Sequence, residues 1–219
     1  MLALHRGPLG MLQDVLLQVQ TLDDAFRRKG SATWYRGHGK SEWPLTSTLH
    51  RYIERLTSGL ETPFEDHETR DLLRDEYKAL YHRFKADAWP LLGSPERSHW
   101  GVIFTMQHHG LPTRLLDWTE SFACALFFAQ HHRQRGGAAT VWALDSEGLN
   151  EMSLGKRGLV ALDETAGASI PDARRWHPRW LPPSDDLPTI AVSPIFTNPR
   201  MTAQRSAFTL AGDSFLPLD

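Results

Sequence analysis

Apolar residues recur at helical spacing through Leu12, Val15, Leu16, Val19, Leu22 and Phe26, and the run ends in Arg27, Arg28 and Lys29 before Gly30. Basic side chains favour the free carbonyls of a helix C-terminus and glycine favours the residue after it, so a helical segment is expected over 12–29. Ala32 to Tyr35 is short and aromatic and is closed by Arg36-Gly37-His38-Gly39. That reads as a strand entering a glycine-bearing turn, with a polar loop after it. Between Phe64 and Trp89, Leu73, Tyr77, Leu80, Tyr81, Phe84 and Ala88 share one face opposite charges, the pattern of a long amphipathic helix. Ser94 then reads as an N-cap with Pro95 at the first helical position, opening a helix over 95–109 that Gly110 ends.

Arg114 to Trp118 is short enough for a strand, and Thr119 is placed to cap a helix over 120–132. The centre of that helix, Phe122-Ala-Cys-Ala-Leu-Phe-Phe-Ala129, is apolar on every side, which predicts burial. Gly136-Gly137 breaks it, and 139–144 reads as another strand, with Asp145 and Ser146 turning the chain. Seven of the fourteen prolines fall between Pro171 and Pro199, so a long insertion loop is expected over 171–199, with short β-prone runs at 189–192 and 207–210. Helices and strands mix without a repeat or an evident linker, which predicts one α+β domain over 1–219.

Composition narrows the class. The 219 residues are 41% hydrophobic and 23% charged, as in ordinary globular domains. A chain of this length buries roughly 70% of its unfolded surface and can form a core without disulfides or metals. Cys124 is the only cysteine, which disfavours a secreted disulfide scaffold and a thiolate zinc site. The N-terminal stretch lacks a signal peptide's apolar run, and the longest apolar run is too short to span a bilayer, so a cytoplasmic, non-membrane protein is expected. The net charge of −2 gives no whole-chain field for nucleic acid.

Three stretches carry candidate chemistry. Gln107-His-His-Gly-Leu-Pro-Thr-Arg-Leu-Leu-Asp-Trp-Thr119 sets Arg114, Asp117 and Thr119 beside a helix N-terminus whose free amides favour anions or oxygen ligands. The competing reading makes Arg114 and Asp117 a buried ion pair and Thr119 a cap. Arg36-Gly37-His38 sits at a strand end, where Gly37 lets a ligand approach the backbone and Arg36 can bind phosphate or ribose oxygens, unless it is a turn with a solvated arginine. Arg200, Gln204 and Arg205 precede a strand and together can bind an anionic, hydroxyl-rich ligand, although Gln204 can also satisfy loop backbone. Adjacent helical residues point about 100° apart, so His108 and His109 cannot easily share a metal. His108 suits a polar pocket better, and no metal is expected. Trp34 and Trp118 flank the motifs and can stack on a flat ring, or belong to the core.

Taken together, Tyr35-Arg36-Gly37 with Trp43-Pro44-Leu45 and Arg51, the stretch Gln107 to Thr119 leading into Ala125-Leu126-Phe127-Phe128-Ala129, and Arg200, Gln204 and Phe208 resemble the FRG domain family. Ser206 stands where that family usually has glycine. The order of elements also looks like the ADP-ribosyltransferase layout, a more distant, fold-level resemblance. It implies a split β-sheet with flanking helices and a groove for NAD as substrate. By position Arg36, Thr119 and Gln204 would correspond to its three motifs; with the neighbouring motif residues, Arg36, Gly37, His108, Arg114 and Thr119 are then expected to bind the dinucleotide, and Asp117 and Gln204 to be catalytic. In such enzymes the third motif usually supplies glutamate, and a glutamine cannot supply that charge. Asp117 is then the nearest carboxylate, provided Arg114 does not neutralise it.

The resemblance implies an ADP-ribosyltransferase or NAD glycohydrolase, acting as a bacterial toxin or phage-defence effector on a macromolecular acceptor or restrained by a neutralising partner protein. The alternative is a non-catalytic nucleotide- or protein-binding module that keeps the fold.

Overall fold

Gly30, in left-handed backbone at φ 79°, ends the first helix, α1 (Leu12–Arg28), whose last turn carries Arg27 and Arg28. The computed structural model describes residues 2–4, 12–58, 66–133, 137–162, 173–181, 186–195, 199–214 and 217–218. The strands are β1 (Leu2–Leu4), β2 (Thr33–His38), β3 (Leu115–Thr119), β4 (Thr140–Asp145), β5 (Val160–Ala161), β6 (Ile190–Ser193) and β7 (Ser206–Leu210). The remaining helices are α2 (Thr48–Thr57), α3 (Asp66–Ala88), α4 (His99–His108), α5 (Phe122–His131), α6 (Ser146–Leu154) and α7 (Pro199–Ala203). The fold is α+β.

The strands form one seven-stranded sheet in the order β1-β4-β2-β3-β7-β6-β5. Neighbours run antiparallel except β5 and β6, which are parallel. β2 pairs with β4 along its whole length and β3 with β7 along its whole length, but β2 and β3 meet at one pair only, Tyr35 with Thr119. Beyond that pair the sheet splits, and the facing edges of Arg36–His38 and Leu115–Trp118 have no ladder partner on that side.

Alternation along the strands sorts the core into two faces. On one face Leu115, Phe208, Leu210, Ile190 and Val192 pack under Leu49 and Ile53 of α2, Leu73, Tyr77 and Tyr81 of α3, and α4. On the same face Tyr35, Val141 and Ala143 pack under Val19 of α1 and Ala125 and Ala129 of α5. The other face buries Trp34, Leu116, Trp118, Leu144, Ala191 and Ala207 against Leu45, with Leu149 of α6 beside them. The split therefore lies where one group of covering helices gives way to the other.

Several expectations are corrected. The strand at Ala32–Tyr35 continues through Arg36, Gly37 and His38, because these residues pair with Trp142, Val141 and Thr140 of β4, respectively, instead of turning. The helix expected over 95–109 is a 3-10 turn, Pro95–Arg97, followed by α4, and Ser98, not Ser94, caps α4 by accepting from the Gly101 amide. Ser121, not Thr119, caps α5 by accepting from the Cys124 amide. The helix enclosed on every side is α4, buried from Trp100 to Met106, whereas α5 buries only Ala125 and Ala129 and leaves Phe127 60% exposed. Asp145 and Ser146 do not turn the chain out of β4 but start α6, with Asp145 accepting from the Gly148 amide. Within 171–199 the expected β-prone run is β6, and the described residues add a 3-10 turn, Ala173–Trp176.

Candidate functional site

The split leaves a cavity of about 730 Å³ between α4 and α5, a size suited to a small-molecule ligand. From β2 it is lined by Tyr35, Arg36, Gly37 and His38, from β3 by Asp117, Trp118 and Thr119, and from α7 and its exit by Arg200, Met201 and Gln204. Phe104, Gln107 and His108 of α4 and Ala125 and Phe128 of α5 form its flanks, and Trp43, Arg51 and His132 also reach it. Among the described lining residues three arginines and three histidines face one carboxylate, Asp117. With Tyr35, Trp43, Phe104, Trp118, Phe128 and Phe208, the chemistry suits an anionic ligand that carries flat rings.

Arg36 bridges the split. Its Nη1 donates to the Asp117 backbone carbonyl, where the β2–β3 ladder would otherwise continue, and lies 3.9 Å from the Asp117 carboxylate. Its Nε donates to His38 Nε2 at 2.9 Å, which leaves the His38 proton on Nδ1, directed at the Trp43 carbonyl 3.1 Å away. Trp142 Nε1, 3.3 Å from the same Nδ1, is then not its donor. Burial pulls the Arg36 pKa below its ordinary value, Asp117 opposes this, and Arg51 adds to it. Arg51 is likewise pulled down, first by burial, and donates to the Thr46 carbonyl.

Asp117 is held from the other side by Gln107. The Leu115 amide donates to the Thr113 hydroxyl at 3.1 Å, so that hydroxyl spends its own proton on Gln107 Oε1 at 2.6 Å. The Gln107 amide nitrogen is thereby turned to Asp117 Oδ2, 2.7 Å away. Thr119 ties the third stretch in: its hydroxyl donates to the Gln204 carbonyl at 2.6 Å and accepts from the Ser121 amide at 3.0 Å. Arg205, next to Gln204, has φ 46°, a left-handed backbone rare outside glycine, and is held by ties to Glu120 through its carbonyl and guanidinium.

The cavity thus gathers Arg36, Gly37, His108, Asp117, Thr119 and Gln204, but not Arg114. Arg114 is fully buried and pairs with Asp213 at 2.7 Å, with Arg74 2.7 Å from the other Asp213 oxygen. The expected binding role of Arg114 is corrected by this, and so is its pairing with Asp117, whose carboxylate stays in the cavity. Gly37 also has a different reason from the one expected. A Cβ there would stand 1.9 Å from the Ala125 carbonyl oxygen, so glycine is required for α5 to lie on β2. Trp34 is a core residue at 1% exposure, and the ring that sequence reasoning missed at the cavity is Trp43, 41% exposed. Met201, Phe104, Phe128 and His132 were missed as well, since nothing in their local spacing distinguishes them from packing residues.

The protein is thus an α+β domain whose sheet splits over an arginine-rich, aromatic cavity. Residues 31–137 match the family model described as FRG domain. Arg36 and the whole stretch from Gln107 to Thr119 fall inside it, while Arg200, Gln204 and Phe208 lie beyond its end. No curated protein and no solved structure matches the chain. Among the described residues no helix is long and apolar enough to cross a membrane.

Proposed function

We propose that the cavity binds NAD and that the chain transfers ADP-ribose to a macromolecular acceptor or hydrolyses NAD. The observation that carries this reading is the convergence of Arg36, Asp117, Thr119 and Gln204, from three distant stretches, on one cavity at the sheet split. In the reaction the bond between the ribose carbon and the nicotinamide nitrogen breaks, and its electron pair leaves with the ring. An oxygen of the acceptor or of water bonds to that carbon and gives up its proton. Positive charge builds on the sugar as the bond loosens, so a carboxylate or aimed dipoles beside it accelerate the step. Asp117 supplies the charge, Gln204 the hydrogen bonds to ribose hydroxyls, and Arg36 with Arg51 and Arg200 the contacts to phosphates. Consumption of cellular NAD would fit a toxin or phage-defence effector held in check by a partner.

The test is incubation of the pure chain with NAD, with protein and nucleic-acid acceptors present, following nicotinamide release and label transfer. Turnover that falls at least about 100-fold in Asp117→Asn, while NAD binding persists, supports the reading. Absence of both binding and turnover overturns it. A second reading, a nucleotide-binding module without turnover, is favoured by Gln204 in the place of glutamate and by the partial neutralisation of Asp117 by Arg36 at 3.9 Å. Calorimetric binding that Arg36→Ala abolishes, with no product under any condition, selects it.

A further inference from the structure

One side chain of β2 lines the cavity without offering a ligand much surface: His38 is only 5% exposed. Its two nitrogens face two groups of the cavity that do have surface to offer. Nε2 accepts from Arg36 Nε at 2.9 Å, and Nδ1, which carries the proton, donates to the Trp43 carbonyl at 3.1 Å. A single imidazole therefore joins the Arg36 guanidinium to the turn that carries the exposed indole. The Trp43 ring also meets that imidazole directly, with centroids 6.1 Å apart and planes inclined by 71°.

The bonds to His38 decide how each group is presented. Arg36 commits Nη1 to the Asp117 carbonyl and Nε to His38, which sets the guanidinium plane at two points. Nη2, with no hydrogen bond among the described residues, is left as the donor for an anion. Trp43 donates its amide to the Lys40 carbonyl at 3.3 Å, and Lys40 Nζ lies over its ring at 5.8 Å. Those two contacts hold the turn to itself. The Ser41 amide ties the turn to the Ala138 carbonyl at 3.1 Å, and the bond from His38 ties Trp43 itself to β2. Without that bond the ring would have to be ordered each time a ligand stacked on it, which weakens binding.

We propose that His38 is a positioning residue that sets the Arg36 guanidinium and the Trp43 indole as one unit, an anion contact and a ring contact held one imidazole apart for the phosphate and the base of a nucleotide. The role rests on the reading of the cavity as a nucleotide site. It requires a neutral His38 with its proton on Nδ1. With the proton on Nε2, the Arg36 Nε–H would face another N–H and the Trp43 carbonyl would lose its donor, so the unit would come apart at both ends.

Two measurements test this, the first without a ligand. Long-range proton–nitrogen correlation NMR of the full chain at neutral pH, with the His38 signals assigned by their loss in His38→Gln, is expected to show a protonated Nδ1 and a bare Nε2. A proton on Nε2 overturns the proposal whatever the cavity binds. The second is calorimetric titration with NAD and with ADP, which shares the base and phosphates but lacks the bond to nicotinamide. His38→Leu removes both hydrogen bonds and is expected to weaken ADP binding at least about tenfold. His38→Gln keeps one acceptor and one donor on a single side chain and is expected to stay within about threefold of the wild type. Trp43→Ala is expected to cost at least about fivefold in the wild type but less than about twofold in His38→Leu, where the ring has already lost its place. Thermal melting shows whether each variant is folded, and the NMR result decides alone if His38→Leu is not. Unchanged affinity in a folded His38→Leu, no recovery in His38→Gln, or an undiminished Trp43→Ala effect in His38→Leu would each overturn the role of His38 and leave the nucleotide reading standing. ADP binding without NAD binding would overturn the NAD reading, and the ADP series then decides the role of His38. Binding of neither nucleotide overturns both.

Discussion

The Arg114 guanidinium donates to the Asp213 carboxylate at 2.7 Å, and neither side chain reaches solvent. Arg74 takes the second oxygen of the same carboxylate, and the Leu187 amide donates to that oxygen at 3.1 Å. One aspartate thereby anchors the start of β3, the middle of α3 and the segment leading into β6. Both arginines rely on it. Asp213→Asn keeps the shape and removes the charge, leaving the fully buried Arg114 guanidinium without a counter-ion and Arg74 with Asp71 at 3.7 Å. The expected loss is about 3–5 kcal/mol, read as a fall in the urea midpoint at unchanged slope. An effect below about 1 kcal/mol would show that the cluster is not closed to water.

Acid should destabilise the chain through two buried histidines. His50 and His177 are pushed down to about 3, in each case first by burial, with Arg114 adding to the effect at His50 and the hydrogen bond to the His99 carbonyl opposing it at His177. The unfolded chain takes up these protons near the ordinary value of about 6.5, and the folded chain does not take them up until about 3. Stability is therefore complete above about pH 6.5 and falls as pH drops towards 3. Each histidine contributes a slope on the order of 1 kcal/mol per pH unit. Urea unfolding at stepped pH measures it, and His177→Phe should flatten the slope between pH 6 and pH 4. A slope unchanged in that folded variant would remove His177 from the account.

Gly37→Ala is expected to damage fold and cavity together. The added methyl would stand 1.9 Å from the Ala125 carbonyl oxygen and 2.7 Å from the Ala129 amide nitrogen, both backbone atoms of α5 that no rotamer change can move. α5 must lift off β2, at about 1–3 kcal/mol or more. Because Ala125 and Phe128 flank the cavity, any ligand affinity measured for the wild type should fall with the melting temperature. The matched control is Gly110→Ala, where the added atom meets nothing within 4 Å but φ is 76°, so the change should lower stability without touching the cavity.

Sequence pattern carried the elements whose reasons are local. The amphipathic α3, the Gly30 stop and the short runs of β4, β6 and β7 are written in periodicity and punctuation. The motif stretches also carried which segments meet, since Arg36, Asp117, Thr119 and Gln204 share one cavity. What stayed hidden depends on tertiary partners. Arg114 and Asp117 are three residues apart and of opposite charge, yet Asp117 lines the cavity and Arg114 does not, because Asp213, 99 residues later, claims the arginine. Helix α2 lay in a stretch read as polar loop, although Ser47 before Leu49 and Ile53 at helical spacing was a usable signal. The exposure of α5 has no local trace, because it depends on which helix the sheet chooses to cover.

The last prediction concerns the amide that faces Asp117. Since the Thr113 hydroxyl must donate to Gln107 Oε1, the Gln107 nitrogen is committed to the Asp117 carboxylate at 2.7 Å. Gln107→Glu replaces that donor with a second carboxylate of the same size, so two like charges face each other at the cavity wall and the Thr113 bond can still form. Expected are a loss of about 1–3 kcal/mol at neutral pH and a weaker affinity for any anionic ligand, as the cavity gives up one unit of positive balance. The stability penalty should shrink in acid, where the two carboxyls can share one proton, whereas the histidine effect grows there. Subtracting the wild-type pH curve from that of the variant separates the two. Gln107→Met, which removes the donor without adding charge, should weaken stability less and show no such recovery. If Gln107→Glu and Gln107→Met behave alike across the pH range, Gln107 does not face a charged carboxylate and Asp117 loses its place as the anionic group of the cavity.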